Sequence, residues 1–244
     1  MKYLISFLFL ALAFSMKSEA KVTLPSILGD NMVLQQQAEV KLWGKARPNA
    51  TVTVKTSWNG QTYKFSSDGK GGWSLTVSTP VAGGPYKIIF NDGELLTLQN
   101  VLIGEVWFCS GQSNMEMPMG CFDRQPVRGA NDIIAKAKPS TPIRMYTTDS
   151  KDGRWVRQFS KTPAEDCQGE WLENTPVNVS HISAVSYYFA RYIQEVLEVP
   201  VGIVVSTWGG SRIEAWMSRE SIKPFSSIDL SRRSHSQRTC GAGH

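Results

Sequence analysis

The chain has 244 residues, 41% hydrophobic and 19% charged, with a formal net charge of +5. That length supports one or two domains with a real core. With 20 Gly, 12 Pro, 10% aromatics and no sustained heptad, collagen-like, coiled-coil and disordered classes are excluded. A basic balance raises nucleic acid as a partner, but the charge is unevenly placed. Setting aside Lys2, Lys17 and Glu19 at the start and Asp229, Arg232, Arg233 and Arg238 at the end leaves only +2 on the residues between. No nucleic-acid partner is therefore expected.

Residues 1–20 read as a secretory signal peptide. Lys2 supplies the positive start, Tyr3–Phe14 the apolar core, and Ser18-Glu19-Ala20 the small residues of a cleavage site. The apolar run falls short of the roughly 20 residues that span a bilayer, and no later stretch is longer. The expected mature chain is secreted or periplasmic, with no membrane span. Export permits disulfides among Cys109, Cys121, Cys167 and Cys240. There is no CxxC pair and the three histidines are scattered, so no metal is expected, and no organic cofactor. Cys121 and Cys167 are the pair open to bridging, although spacing does not fix connectivity. Cys109 lies in an apolar run and reads as a buried free thiol.

Residues 21–100 are strand-rich. Val40 and Leu42, Val52 and Val54, Leu75 and Val77, and Leu96 and Leu98 alternate with polar partners, the period of half-buried strands. Turn signals separate them: Arg47-Pro48-Asn49, Asn59-Gly60, Asp68-Gly69, Gly83-Gly84-Pro85 and Asn91-Asp92-Gly93. Asn59-Gly60 and Asp92-Gly93 suit two-residue hairpins. The expectation is an N-terminal antiparallel β-sandwich. Such a unit serves as a support or as a carbohydrate-binding module, and support is favoured.

Residues 101–225 alternate strands and helices, the signature of a doubly wound α/β layer. Val106–Cys109, Ile143–Tyr146 and Val201–Ser206 are expected strands. Ser183–Val199 is an amphipathic helix with Ser183 as N-cap and Pro200 as stop, and a further helix is expected over Ile213–Ile222. Three strands make an incomplete layer. Residues 226–244 hold five serines and three arginines without periodicity. They read as a disordered or out-of-frame tail. Asn49-Ala50-Thr51 and Asn178-Val179-Ser180 are glycosylation sequons.

In open α/β sheets, ligands bind beyond the carboxyl ends of the strands. Two features fall there. Gly111-Gln112-Ser113-Asn114-Met115 follows the first strand, where a serine on a tight turn exposes its hydroxyl. Gly209-Gly210 follows Val201–Ser206, where absent side chains leave N–H groups open to a substrate oxygen.

Gly111–Glu116, preceded by Gly104-Glu105-Val106-Trp107, resembles the first motif block of bacterial sialate O-acetylesterases, carbohydrate esterases of the SGNH-hydrolase type. Ile182–Arg191, Val201-Gly202-Ile203 and Thr207–Trp216 resemble the family's next stretch, and Leu28–Gln35 the opening of its β domain. The resemblance covers residues 22 to about 225 and implies an SGNH-like α/β domain that hydrolyses acetyl esters on sugars. It implies Ser113 as nucleophile, with the N–H groups of Ser113 and of Gly209 or Gly210, the latter favoured, binding the oxyanion. Gln112 and Asn114 would shape the turn. Glu116 reads as a first-turn carboxylate answering the helix dipole.

The family's later Asp-x-x-His block is absent from this sequence, and Gln-Gly-Glu occurs only as Gln168-Gly169-Glu170, ahead of the Ile182–Arg191 stretch. His181 reads as a capping or surface residue, and His235 and His244 lie in the tail. The expectation is a carbohydrate O-acetylesterase, C-terminally truncated or frameshifted and impaired for want of a base. Its partner would be an acetylated sugar or glycan. An acetylxylan-type esterase and a non-catalytic glycan-binding protein are the alternatives.

Overall fold

The computed structural model describes residues 22–151, 154–155 and 164–225. The leader, the tail and Cys240, His235 and His244 within it lie outside the described residues. In chain order the first strands are β1 (Val33–Gln35), β2 (Glu39–Lys45), β3 (Thr51–Thr56), β4 (Thr62–Ser66), β5 (Gly72–Ser78), β6 (Gly83–Asn91) and β7 (Leu95–Gly111). Helices α1 (Ser113–Glu116) and α2 (Ala130–Lys136) follow, then β8 (Ile143–Thr147), β9 (Ser150–Lys151), β10 (Arg154–Trp155) and β11 (Trp171–Glu173). The chain continues through α3 (Pro176–His181), α4 (Ala184–Leu197), β12 (Val201–Thr207), a 3-10 turn (Ile213–Trp216) and α5 (Arg219–Ile222).

The fold is mixed α/β, built on one eight-stranded sheet in the order β11-β8-β12-β7-β6-β3-β4, with β1 alongside β7. β7, β8 and β12 run parallel, while β3, β4 and β6 pair antiparallel, as does β6 with β7. The alternating strands behave as their period predicts: Val52 and Val54 of β3, Leu42 of β2 and Val77 of β5 are fully buried. β2 and β5 form a separate antiparallel pair, and their inward residues share one core with β3, β6 and the first half of β7. A second core lies under α4, where Ile143, Met145, Ile203 and Val205 meet Tyr187 and Ala190.

The expected division at residue 100 falls inside β7. This strand runs 17 residues, pairing first with β6 and then, beyond Gly104, with β12. Asn100 adopts φ +54 where the β6–β7 register shifts, and its amide donates to Asn31 and Glu173. One strand thus carries both regions and fixes their relative position.

Several local expectations change. The β3–β4 connection is five residues, because Thr56 and Gln61 hydrogen-bond to Asn59, so Gly60 alone takes positive φ. The β6–β7 turn has three residues, with Gly93 at positive φ and not Asp92. Gly83-Gly84-Pro85 belongs to β6, within its irregular stretch. Ser183 caps α4 as expected, accepting from the Ser186 N–H, but the helix ends at Leu197, with Glu198 left-handed ahead of Pro200. The helix expected over Ile213–Ile222 breaks at Met217, which is extended, and Ser218 accepts from the Ser221 N–H and starts α5 afresh. Cys121 and Cys167 are free thiols, not a bridge. Among the described residues no helix is long and apolar enough to cross a membrane.

Candidate active site

β7 and β12 pair in register over seven positions, from Val201 opposite Glu105 to Thr207 opposite Gly111. Their carboxyl ends are therefore level. The ladder runs one step further, the Trp208 N–H donating to the Gly111 carbonyl at 2.9 Å. At this end the two sequence features meet.

On the β7 side the chain reverses at Gly111, whose φ of +151 suits only glycine. A Cβ there would stand 2.8 Å from Met115 Cγ, so the missing side chain lets α1 fold back over the strand end. Gln112 precedes α1 without a side-chain cap, and the Glu116 and Met117 N–H groups close the turn onto the Gln112 and Ser113 carbonyls, both at 3.0 Å. Gln112 and Asn114 are both exposed and belong to this turn. Ser113 is exposed too, and among the described residues neither its hydroxyl nor its N–H has a hydrogen-bond partner. The hydroxyl is therefore open to solvent at the strand end.

On the β12 side, Trp208 to Ser211 form a turn closed by the Ser211 N–H on the Trp208 carbonyl at 3.2 Å, with Gly210 at φ +74. The Gly209 N–H donates to the Glu116 carboxylate across the gap. A Cβ on Gly209 would sit 2.7 Å from Glu116 Oε2 and 3.9 Å from Ser113 Cα, so this backbone passes directly against the serine turn. Among the described residues the Gly210 N–H has no partner. The arrangement separates the two glycines: Gly209 is engaged by a carboxylate, and Gly210 keeps an open donor. Trp216 braces the loop, its indole N–H donating to Ser211 Oγ at 2.9 Å.

Glu116 is the acidic residue of the first turn of α1, as expected, and its carboxylate also reaches the neighbouring loop in a cross-loop hydrogen bond. The signal was its spacing: a residue three after Ser113 on a helical turn shares its face. His181, at the end of α3, is exposed and carries no role in this geometry. No base is hydrogen-bonded to Ser113 among the described residues. Cys109 lies close in sequence but packs toward the α4 core, where burial pushes its thiol pKa up and makes it a poor nucleophile. Among the described residues no three His, Cys, Asp or Glu gather as a metal site. The depression lined by Arg47, Asn49 and Asp92 belongs to the β2–β3 and β6–β7 loops and includes none of these groups.

No family model matches the chain. Among curated proteins, sialate O-acetylesterases from Pongo abelii and Homo sapiens are each 30% identical to it over 216 residues, covering 81% of this chain and 39% of theirs. The chain thus spans about two fifths of the length of the curated relatives it matches. A solved carbohydrate acetylesterase from Xanthomonas citri superposes with a TM-score of 0.74 at 34% identity, covering 83% of this chain and 44% of that one. Over the stretch shared with these proteins, the chain belongs to a sialate O-acetylesterase-like family.

Proposed function

We propose that this chain carries the nucleophile and oxyanion site of a secreted carbohydrate O-acetylesterase, with Ser113 attacking an acetyl carbonyl on a sugar. The observation that carries the reading is the level ending of β7 and β12, which brings the turn of the unpartnered Ser113 against Gly209, next in the chain to the open Gly210 N–H. In the proposed step Ser113 Oγ bonds to the acetyl carbon and its proton passes to a base. The carbonyl oxygen becomes an oxyanion held by the Ser113 and Gly210 N–H groups. Collapse of the intermediate expels the sugar oxygen, which takes the proton back from the base, and leaves acetyl on Ser113. Water then attacks that ester, giving acetate and free Ser113. Each such donor is worth on the order of 10²-fold in rate. The names of the relatives supply the substrate class, an acetylated carbohydrate.

No base reaches Ser113 among the described residues, and a serine without a positioned base is a weak nucleophile, so low intrinsic turnover is expected. The test supplies the base from solution. Purified protein is given an acetylated sugar with increasing imidazole, and released acetate is followed against Ser113→Ala. Acetate release that rises with imidazole only when Ser113 is present supports the reading. Equal rates from both proteins would remove it. Glycan binding that persists in Ser113→Ala with no hydrolysis in either would favour the non-catalytic alternative.

A further inference from the structure

We propose that Glu116 is a positioning residue, a clamp whose carboxylate ties the serine turn to the glycine loop and so sets the oxyanion site. The purpose assigned to the clamp rests on the ester-hydrolysis reading above. The clamp itself rests on geometry. α1 is a single turn, made of Ser113 to Glu116, with Ser113 and Glu116 at its two ends. The Gly209–Gly210 loop belongs to a different strand, 93 residues away in sequence, and its direct hydrogen bond to α1 is the one from the Gly209 N–H to Glu116.

A charged acceptor makes that bond roughly twice as strong as a neutral one. It holds Gly209 against α1, near enough that a Cβ would lie 3.9 Å from Ser113 Cα. The next N–H along the chain is that of Gly210, the open donor. Fixing Gly209 therefore fixes where Gly210 points, relative to the serine it must serve. The same contact makes residue 209 tight: a Cβ would stand 2.7 Å from the carboxylate, which would have to shift.

The experiment has two arms. In the first, hydrogen exchange of the Gly209 amide is followed by NMR in the parent chain, Glu116→Ala and Glu116→Gln. Loss of a hydrogen bond to a charged group should speed Gly209 exchange by about 10- to 100-fold in Glu116→Ala, with the Val204 and Val205 amides of β12 unchanged. Glu116→Gln, whose amide oxygen still accepts, should fall between. Unchanged Gly209 exchange in Glu116→Ala overturns the clamp.

In the second arm, imidazole-assisted acetate release is measured for the same three proteins. A displaced oxyanion donor predicts a loss of about 10²-fold in kcat with little change in KM. Glutamine should recover it to within about tenfold of the parent, since the neutral bond keeps about half the strength. If glutamine keeps Gly209 protected yet is as poor as alanine, Glu116 acts through its charge or as a proton acceptor, and positioning is refuted. If the parent hydrolyses nothing, the esterase reading fails, while Gly209 exchange still decides whether the clamp exists.

Discussion

Gly104→Ala probes the point on which the layout of the site depends, the change of partners along β7. At Gly104 the strand leaves β1 and β6 and takes up β12, and the chain passes against Pro200. A Cβ there would stand 2.0 Å from the Pro200 carbonyl oxygen and 2.7 Å from its carbonyl carbon. Both are backbone atoms, so no rotamer relieves the overlap and the two segments must separate by about 1.5 Å, given ordinary contacts near 3.5 Å. Two hydrogen bonds are at stake, Glu105 N–H to the Pro200 carbonyl at 2.9 Å and Gln36 N–H to the Gly104 carbonyl at 2.8 Å. At about 1 kcal/mol for each, with about 1–3 kcal/mol for overpacking, the cost is about 3–5 kcal/mol. For a chain of this size, with about 2–4 °C lost per kcal/mol, that lowers Tm by roughly 10 °C. Far-UV circular dichroism during heating measures it, provided unfolding is reversible. A shift of less than about 2 °C would show that the strands are not pressed together here, and that the level ending of β7 and β12 has lost its physical basis.

Other parts of the fold offer independent checks. Glu173→Ala should cost about 2 kcal/mol in urea denaturation. It strands the Arg144 guanidinium, which is 4% exposed, lies 3.2 Å from Glu173 and has an unpartnered Nε, although the half-open glutamate discounts the usual buried-pair penalty. No measurable loss would mean that the pair contributes nothing. Burial pushes the phenol pKa values of Tyr146 and Tyr187 above the ordinary 10. The folded state then keeps protons that the unfolded chain releases, so stability is intact below about pH 10 and falls as pH rises above it. Absorbance titration should show these two phenols ionising only as the protein unfolds, and their titration with the exposed tyrosines would contradict the burial. Phe108, 67% exposed, lies in the part of β7 that past the Gln35 contact to the Val106 N–H pairs with β12 alone, leaving the other edge open among the described residues. Phe108→Lys should suppress concentration-dependent light scattering without lowering Tm, because open apolar edges template association. Equal scattering from both proteins would count against that edge as the cause.

The strands of residues 21–100 were legible because a face-alternating pattern survives in a half-buried sheet, as at Val52 and Val54. The continuity of β7 was not. Gln99-Asn100 interrupts the apolar pattern just where the strand bends, and only tertiary partners, Asn31 and Glu173, hold Asn100 in its left-handed conformation. Turn lengths were misjudged for a related reason: the Asn59 side chain captures the Gln61 N–H and widens a loop that its dipeptide alone makes tight. Helix periodicity over Ile213–Ile222 hid a break, since Ser218 competes as a cap and Trp216 is drawn back to Ser211. For the site, Ser113 and the two glycines stood out from their places after strands. Their distinction did not, because it depends on Glu116 meeting Gly209 across 93 residues of sequence.

On the ester-hydrolysis reading, Ser113 forms the covalent intermediate of acetyl transfer from a sugar. Acid quenching during imidazole-assisted turnover should trap the acetyl group on Ser113. The direct measurement is mass spectrometry of digested protein after exposure to an acetylated sugar in imidazole. Acetylation should be confined to the Ser113 peptide and absent from Ser113→Ala. Acetyl groups scattered over lysines and equal in both proteins, with Ser113 unmodified, would contradict it.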